Sequence, residues 1–147
     1  MGRYVGADGP IDGAGMRVAI VSGRFNDHIT ELLLAGAHKE LGDAGVAETD
    51  VTTTWVPGAF EMPLVAQRLA ASGRVDAVVC LGAVIRGDTP HFDFVAGECA
   101  SGLTRVALDT GVPVIFGVLT VNTLQQALDR SGGSEGHKGA EAAATAL

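Results

Sequence analysis

Three short apolar runs, Val18-Ala-Ile-Val21, Ala77-Val-Val-Cys-Leu81 and Pro113-Val-Ile-Phe-Gly-Val-Leu119, show no alternation with polar residues. A strand with one wet face alternates, whereas an unbroken apolar run suits a strand covered on both faces. The segments between these runs have helical period. Asn26 or Asp27 can cap a helix that carries Ile29, Leu32, Leu33, Ala37 and Leu41 on one face, with Gly42 and Gly45 as its stop. Asp50 to Val56 alternates Val, Thr and Trp and reads as a strand ended by Pro57-Gly58. Pro63 suits the first turn of a helix that turns Met62, Val65, Ala66, Leu69 and Ala70 inward before Gly73 stops it. A long helix after Pro90 spaces Phe92, Val95, Cys99, Leu103 and Val106 toward the sheet. Thr123-Leu-Gln-Gln126 has capping-box form and opens a helix through Leu128. Ser131 to Gly136 is a Gly/Ser break, and Lys138 to Leu147 is an Ala-rich helix.

Strands alternating with helices through short loops imply parallel strands with right-handed crossovers. The expected fold is a doubly wound, flavodoxin-like α/β domain with three α/β/α layers. A chain of 147 residues suits one domain over 1–147, with 1–15 loosely organised and Tyr4-Val5 available as an edge strand. At 47% hydrophobic and 18% charged, the chain is too apolar to be disordered, and no run nears the roughly 20 residues of a membrane span. Met1 to Gly15 lacks the basic-then-apolar order of a signal peptide, and Gly6 stands where a myristoylation signal needs Ser or Thr, so a cytoplasmic protein is expected. The net charge of -7, with no Lys/Arg cluster, disfavours a nucleic-acid partner. Cys80 and Cys99 sit in apolar stretches without a C-x-x-C and read as buried thiols. So high an apolar content in so small a chain hints at burial against copies of itself.

In such a fold, ligands sit at the carboxyl ends of the strands, which selects the loops 22–26, 56–61, 82–89 and 117–123. Each carries groups with two readings. Phe25 can stack on a planar heterocycle or staple a helix start. Gly58 allows a tight turn, and Glu61 can accept from ligand hydroxyls or cap a helix. Gly87 and Thr89 precede a helix whose unpaired amides favour phosphate, although the Walker ending is absent. Arg86 can hold an anion or pair with a nearby acid. His91, in a first helical turn, is a candidate base or an ordinary surface residue. Arg130 and Lys138 flank the Gly/Ser break and can together grip a dianionic phosphate, or simply complement a helix C-terminus. His28, His38 and His137 have no metal-ligand spacing with one another or with His91, so no metal is expected; nor does any Ser or Cys stand in a nucleophile elbow.

Taken in order, Phe25-Asn26, then Val56-Pro-Gly-Ala-Phe-Glu-Met-Pro63, then Gly82-Ala-Val-Ile-Arg-Gly-Asp-Thr-Pro-His-Phe-Asp-Phe-Val95 resemble the lumazine synthase family. Gly111-Val-Pro-Val-Ile-Phe-Gly-Val-Leu-Thr120, Gln126-Ala-Leu-Asp-Arg130 and Lys138-Gly139 continue the likeness, which covers about 17–147. The resemblance implies a transferase of riboflavin biosynthesis. It would condense 5-amino-6-(D-ribitylamino)uracil with 3,4-dihydroxy-2-butanone 4-phosphate to 6,7-dimethyl-8-ribityllumazine, phosphate and water, with neither cofactor nor metal. It implies that Phe25 stacks on the pyrimidine, that Ala59, Phe60 and Glu61 bind the ribityl chain, and that Ala83, Val84 and Ile85 offer backbone contacts to the heterocycle. Gly87, Asp88 and Thr89 with Arg130 would form the phosphate site, Asp88 through its backbone alone, its side chain capping the helix or facing solvent. His91 would transfer protons. Phe116 and Lys138, along with Arg130, would come from a neighbouring subunit. The resemblance further implies pentamers, with the short break at 131–137 matching members that close twelve pentamers into an icosahedral shell; riboflavin synthase is a possible partner. The rival readings are a flavodoxin-like flavin or lumazine binder without turnover, a structural shell subunit, and a related enzyme that dismutates lumazine.

Overall fold

The computed structural model describes residues 9–147. Strands β1 (Val18–Gly23), β2 (Val51–Val56), β3 (Ala77–Ile85) and β4 (Val114–Val121) form a parallel sheet in the order β2-β1-β3-β4. Helices α1 (Asp27–Asp43) and α5 (Lys138–Ala146) cover one face, while α2 (Met62–Ala70) and α3 (His91–Thr110) cover the other. The three layers and the doubly wound order are as expected. Tyr4-Val5 lies outside the described residues. Among those described, no helix is long and apolar enough to cross a membrane.

The apolar runs occupy the centre for the reason their pattern implies. Val18, Ile20, Val21, Val78, Val79, Cys80 and Leu81 are fully buried because β1 and β3 have a helix layer on each side. On the first face Val18, Ile20, Val79 and Leu81 meet Ile29, Leu33, Ala37, Leu41 and Ala143. On the second, Val21, Val78 and Cys80 meet Met62, Ala66, Cys99 and Leu103. Leu32, expected inward, is instead exposed. The inward row 29, 33, 37, 41 advances about 40° per step, and Leu32 falls on its far flank. Both thiols are buried, and burial pushes Cys99 up to about 12 and Cys80 higher still, so neither is a ready nucleophile.

Three local differences from the sequence reading matter for the site. Strand β3 continues past Leu81 to Ile85, because β4 reaches Val121 and pairs Gly82–Ile85 with Val118–Val121. The loop expected over 82–89 therefore shortens to the residues after Ile85. The Gly/Ser break is a tight antiparallel hairpin of β5 (Ser131–Gly133) and β6 (Gly136–His137) that follows α4 (Leu124–Asp129). The capping box is shifted on one side. Gln126 N donates to Thr123 Oγ1 at 3.1 Å, but Gln126 Oε1 accepts from Asn122 N at 2.7 Å rather than from Thr123.

The start of β1 is clasped to the start of β3 by Arg17 and Asp76. Arg17 N donates to Asp76 Oδ2 at 2.8 Å, Asp76 N donates to Arg17 O at 2.7 Å, and the guanidinium closes on Oδ1 at 3.2 Å. The side-chain hydrogen bond from Arg17, then its backbone amide, hold the Asp76 carboxyl below its ordinary value. A carboxyl lowered on folding stabilises the folded state above about pH 4, and this contribution disappears as pH falls through the lower folded value. Asp76→Asn should therefore flatten the decline of Tm with pH below about pH 4, leaving an unchanged acid limb as the contrary result.

Candidate active site

A cavity of about 450 Å3 opens at the carboxyl ends of β1 and β3, where the chain turns from β1 toward β2 on one side while β3 continues the sheet on the other. Its walls are Phe25 and Asn26 after β1, Gly58 to Glu61 after β2, Gly82 to Ile85 at the end of β3, and His91, Phe94 and Val95 on the first turns of α3. Three phenyl rings stand exposed around it: Phe25 at 67%, Phe60 at 58% and Phe94 at 66%. Aromatic rings left in water around one concavity mark a binding surface, because each forfeits burial it could gain elsewhere.

The loops hold one another in place. Arg24 N donates to Val56 O at 2.8 Å and Phe25 N to Pro57 O at 3.0 Å, tying the first loop to the second. Gly58 leaves room for the Phe25 ring in this position: a Cβ would lie 2.5 Å from Phe25 Cδ2, and the ring would have to shift. Asn26 is the one non-glycine described residue with positive φ, at 58°, and its Nδ2 donates to Ala83 O at 2.9 Å. That bond crosses the crevice from the first loop to β3. Glu61 Oε2 accepts from Gly58 N at 3.1 Å, which is the capping reading of Glu61. A short 3₁₀ turn, Ala59–Glu61, presents Phe60.

Of the residues singled out from sequence, Phe25, Ala59, Phe60, Glu61, Ala83, Val84, Ile85 and His91 line this one cavity. Gly87, Asp88 and Thr89 lie just outside it, exposed, between β3 and α3. Thr89 Oγ1 accepts from His91 N at 3.4 Å, and Asp88 projects into solvent, one of the two arrangements expected of it. Arg86 takes the ion-pair reading: it meets Asp93 at 3.4 Å, donates through Nε to Asn122 Oδ1 at 3.0 Å, and lies 4.2 Å over the Phe92 ring. It thereby staples this loop to the turn after β4.

Phe116, Arg130 and Lys138 do not reach the cavity of their own chain. Phe116 lies half-buried on β4 against the α2–α3 cluster. Arg130 and Lys138 sit together in the opposite layer: Lys138 N donates to Arg130 O at 2.8 Å, and Arg130 Nη1 donates to Gln126 O at 3.0 Å. They are the only Lys or Arg among the described residues that are not exposed, and neither meets a carboxylate there. No Lys or Arg lines the cavity itself. No group of three His, Cys, Asp or Glu side chains among the described residues is disposed to hold a metal.

Sequence reasoning gave no site role to three wall side chains, Asn26, Phe94 and Val95, the last of them read as facing the sheet. Asn26 was read as a helix cap, though Asn is one of the few residues that tolerate the left-handed region and bond locally from it. Phe94 falls out of step with the inward row 92, 95, 99, 103, 106, and an aromatic off the core stripe is a signal in its own right. Residues 15–147 match the family model described as 6,7-dimethyl-8-ribityllumazine synthase.

Asn26 makes a measurable claim about this architecture. Asn26→Gly removes the bond to Ala83, worth about 1 kcal/mol, but also relieves the roughly 1–2 kcal/mol that a Cβ costs in the left-handed region. Asn26→Ala loses the same bond and keeps the Cβ. Chemical denaturation should place Ala below both the parent and Gly, with the parent and Gly close together; Ala equal to Gly would show that the backbone at 26 relaxes.

Proposed function

The chain belongs to the 6,7-dimethyl-8-ribityllumazine synthase family, and we propose that it condenses 5-amino-6-(D-ribitylamino)uracil with 3,4-dihydroxy-2-butanone 4-phosphate in the cytoplasm. The products are 6,7-dimethyl-8-ribityllumazine, phosphate and water. The observation that carries this reading is the cavity walled by exposed phenyl rings with strand-end backbone between them.

In this proposal the pyrimidine lies on Phe25, and the ends of its ring meet the backbone of Ala83, Val84 and Ile85. The ribityl chain runs along Ala59, Phe60 and Glu61, whose second carboxylate oxygen remains to accept from hydroxyls. The amine attacks the ketone carbon and water leaves to give an imine. Phosphate is then eliminated, and the ribityl-bearing nitrogen closes the second ring with loss of a further water. Each step moves protons at carbon, nitrogen or oxygen, and none requires a side-chain nucleophile, a metal or a redox cofactor. His91, on the cavity wall at the first turn of α3, is the proton carrier.

The phosphate needs cations that the cavity lacks. Gly87, Asp88 and Thr89 supply amides beside the start of α3; among the described residues these amides donate to no main-chain carbonyl. Arg130 and Lys138 supply charge from a second copy of the chain, along with Phe116 as a further wall. The active unit is thus an oligomer, proposed as a pentamer with the short 131–137 hairpin allowing twelve pentamers to close into a shell. Riboflavin synthase is the partner such a shell suits. Sedimentation showing pentamers alone would remove the shell from this proposal.

Mixing the two substrates and following lumazine absorbance tests the reaction directly. Positioning should dominate catalysis, so His91→Ala should lose about 10²-fold in kcat/KM, the low end for general acid–base groups. Arg130→Ala should lose more. Equal losses would place the chemistry, rather than the anchoring of phosphate, in control.

A further inference from the structure

The two residues that bracket Lys138 are both docked on α1. A Cβ at Gly36 would overlap the His137 ring, and a Cβ at Gly139 would overlap the carbonyl oxygen of Leu33. The ring of His137 therefore fills a notch that exists only because residue 36 has no side chain. Its other side faces the hairpin, where a Cβ at Gly132 would come within 3.3 Å of Cδ2. Its Nδ1 accepts from Ala140 N at 3.2 Å and caps α5, which puts the ring proton on Nε2. The imidazole is thus held by α1, by the hairpin and by the helix it caps.

We infer that His137 is a positioning residue: seated in the Gly36 notch, it fixes the turn that sets Lys138 and Arg130 side by side for the substrate phosphate. The inference rests on the phosphate-site reading of those two cations. Neither is held by an ion pair among the described residues; Arg130 is tied through Nη1 donating to Gln126 O at 3.0 Å, and the main-chain path of the turn sets where both side chains start. That path is defined by Lys138 N donating to Arg130 O at 2.8 Å, at the base of a hairpin whose closing pair is Ser131 with His137. Removing the ring leaves the α5 N-terminus uncapped and the notch empty, and the bond between the two cation-bearing residues loses its support on the α1 side.

The test uses the full chain in steady-state kinetics with each substrate varied and with inorganic phosphate as inhibitor. His137→Ala should raise the KM for the phosphorylated ketone and the Ki for inorganic phosphate about tenfold, with the KM for the amine substrate within about twofold. His137→Asn retains a capping acceptor and should restore both constants to within about threefold of the parent. Gly36→Ala expels the ring and should match His137→Ala; combining the two should add no further loss, because they break one contact. Parental constants in His137→Ala, an equal rise for both substrates, or additive losses in the double variant would each overturn the proposal. If His137→Ala proves insoluble, Gly36→Ala decides alone, and parental constants there overturn it. Arg130→Ala separates the two levels. No change in that variant defeats the phosphate-site reading and this inference with it, whereas a rise there beside an unaffected His137→Ala defeats the positioning role alone.

Discussion

Everything in this molecule depends on β1 and β3 lying side by side with both faces covered. Their side chains belong to the core from Val18 and Ala77 onward. The first backbone free to meet a ligand is therefore at their carboxyl ends, where one connection leads to the β2 side and the sheet continues through β3 to β4 on the other. The crevice is a topological necessity before it is a chemical feature. The sequence then lines it economically, with Asn26 bonding across to Ala83 and Gly58 making room for Phe25. Most of the polar groups that line it are strand-end amides and carbonyls, held in place because the strands behind them are fully packed.

How much of this was legible depended on whether the signal was local. The apolar runs at 18–21, 77–81 and 113–119 announced buried parallel strands, and the helices followed from period and caps. The ends were harder. Strand β3 overran its apolar run to Ile85 because strand length is set by the partner, and β4 continues through Val121. The break at 131–136 looked structureless yet folds as a hairpin, since Gly and Ser carry no periodicity to read. Site residues were legible as loops at strand ends, and eight of them converge on one cavity. The fixed left-handed turn at Asn26 and the seat of His137 on Gly36 were not legible. Both depend on contacts between segments far apart in sequence.

Helix α1 links these two hidden features. Its N-terminus begins at Asp27, directly after Phe25 and Asn26, while its middle turns carry the Leu33 carbonyl and the Gly36 notch that receive α5. Its buried row of Ile29, Leu33, Ala37 and Leu41 locks it to the sheet. One rigid helix therefore holds the aromatic wall at one end and supports the paired cations along its side. The two are held in fixed relation although they open to different surroundings. In an assembly where each chain lends its cations to the next, that rigidity would carry the geometry of one site into its neighbour's.

The charge distribution argues for such lending. The chain carries seven more acids than bases, and most of its described cations are spoken for or wet. Arg17 pairs with Asp76, Lys39 with Asp43, Arg86 with Asp93 and Arg105 with Asp109. Arg24 lies 5.5 Å over Trp55, and Arg68 and Arg74 are exposed. Among the described residues, Arg130 and Lys138 alone are half-buried cations, and neither makes an ion pair. Partial burial of an unpaired cation is unfavourable. An acidic chain had carboxylates available to neutralise them, as it did for four other cations. Leaving this pair uncompensated makes sense if a dianion completes it, and the cavity that would receive the rest of that dianion's substrate contains no cation of its own.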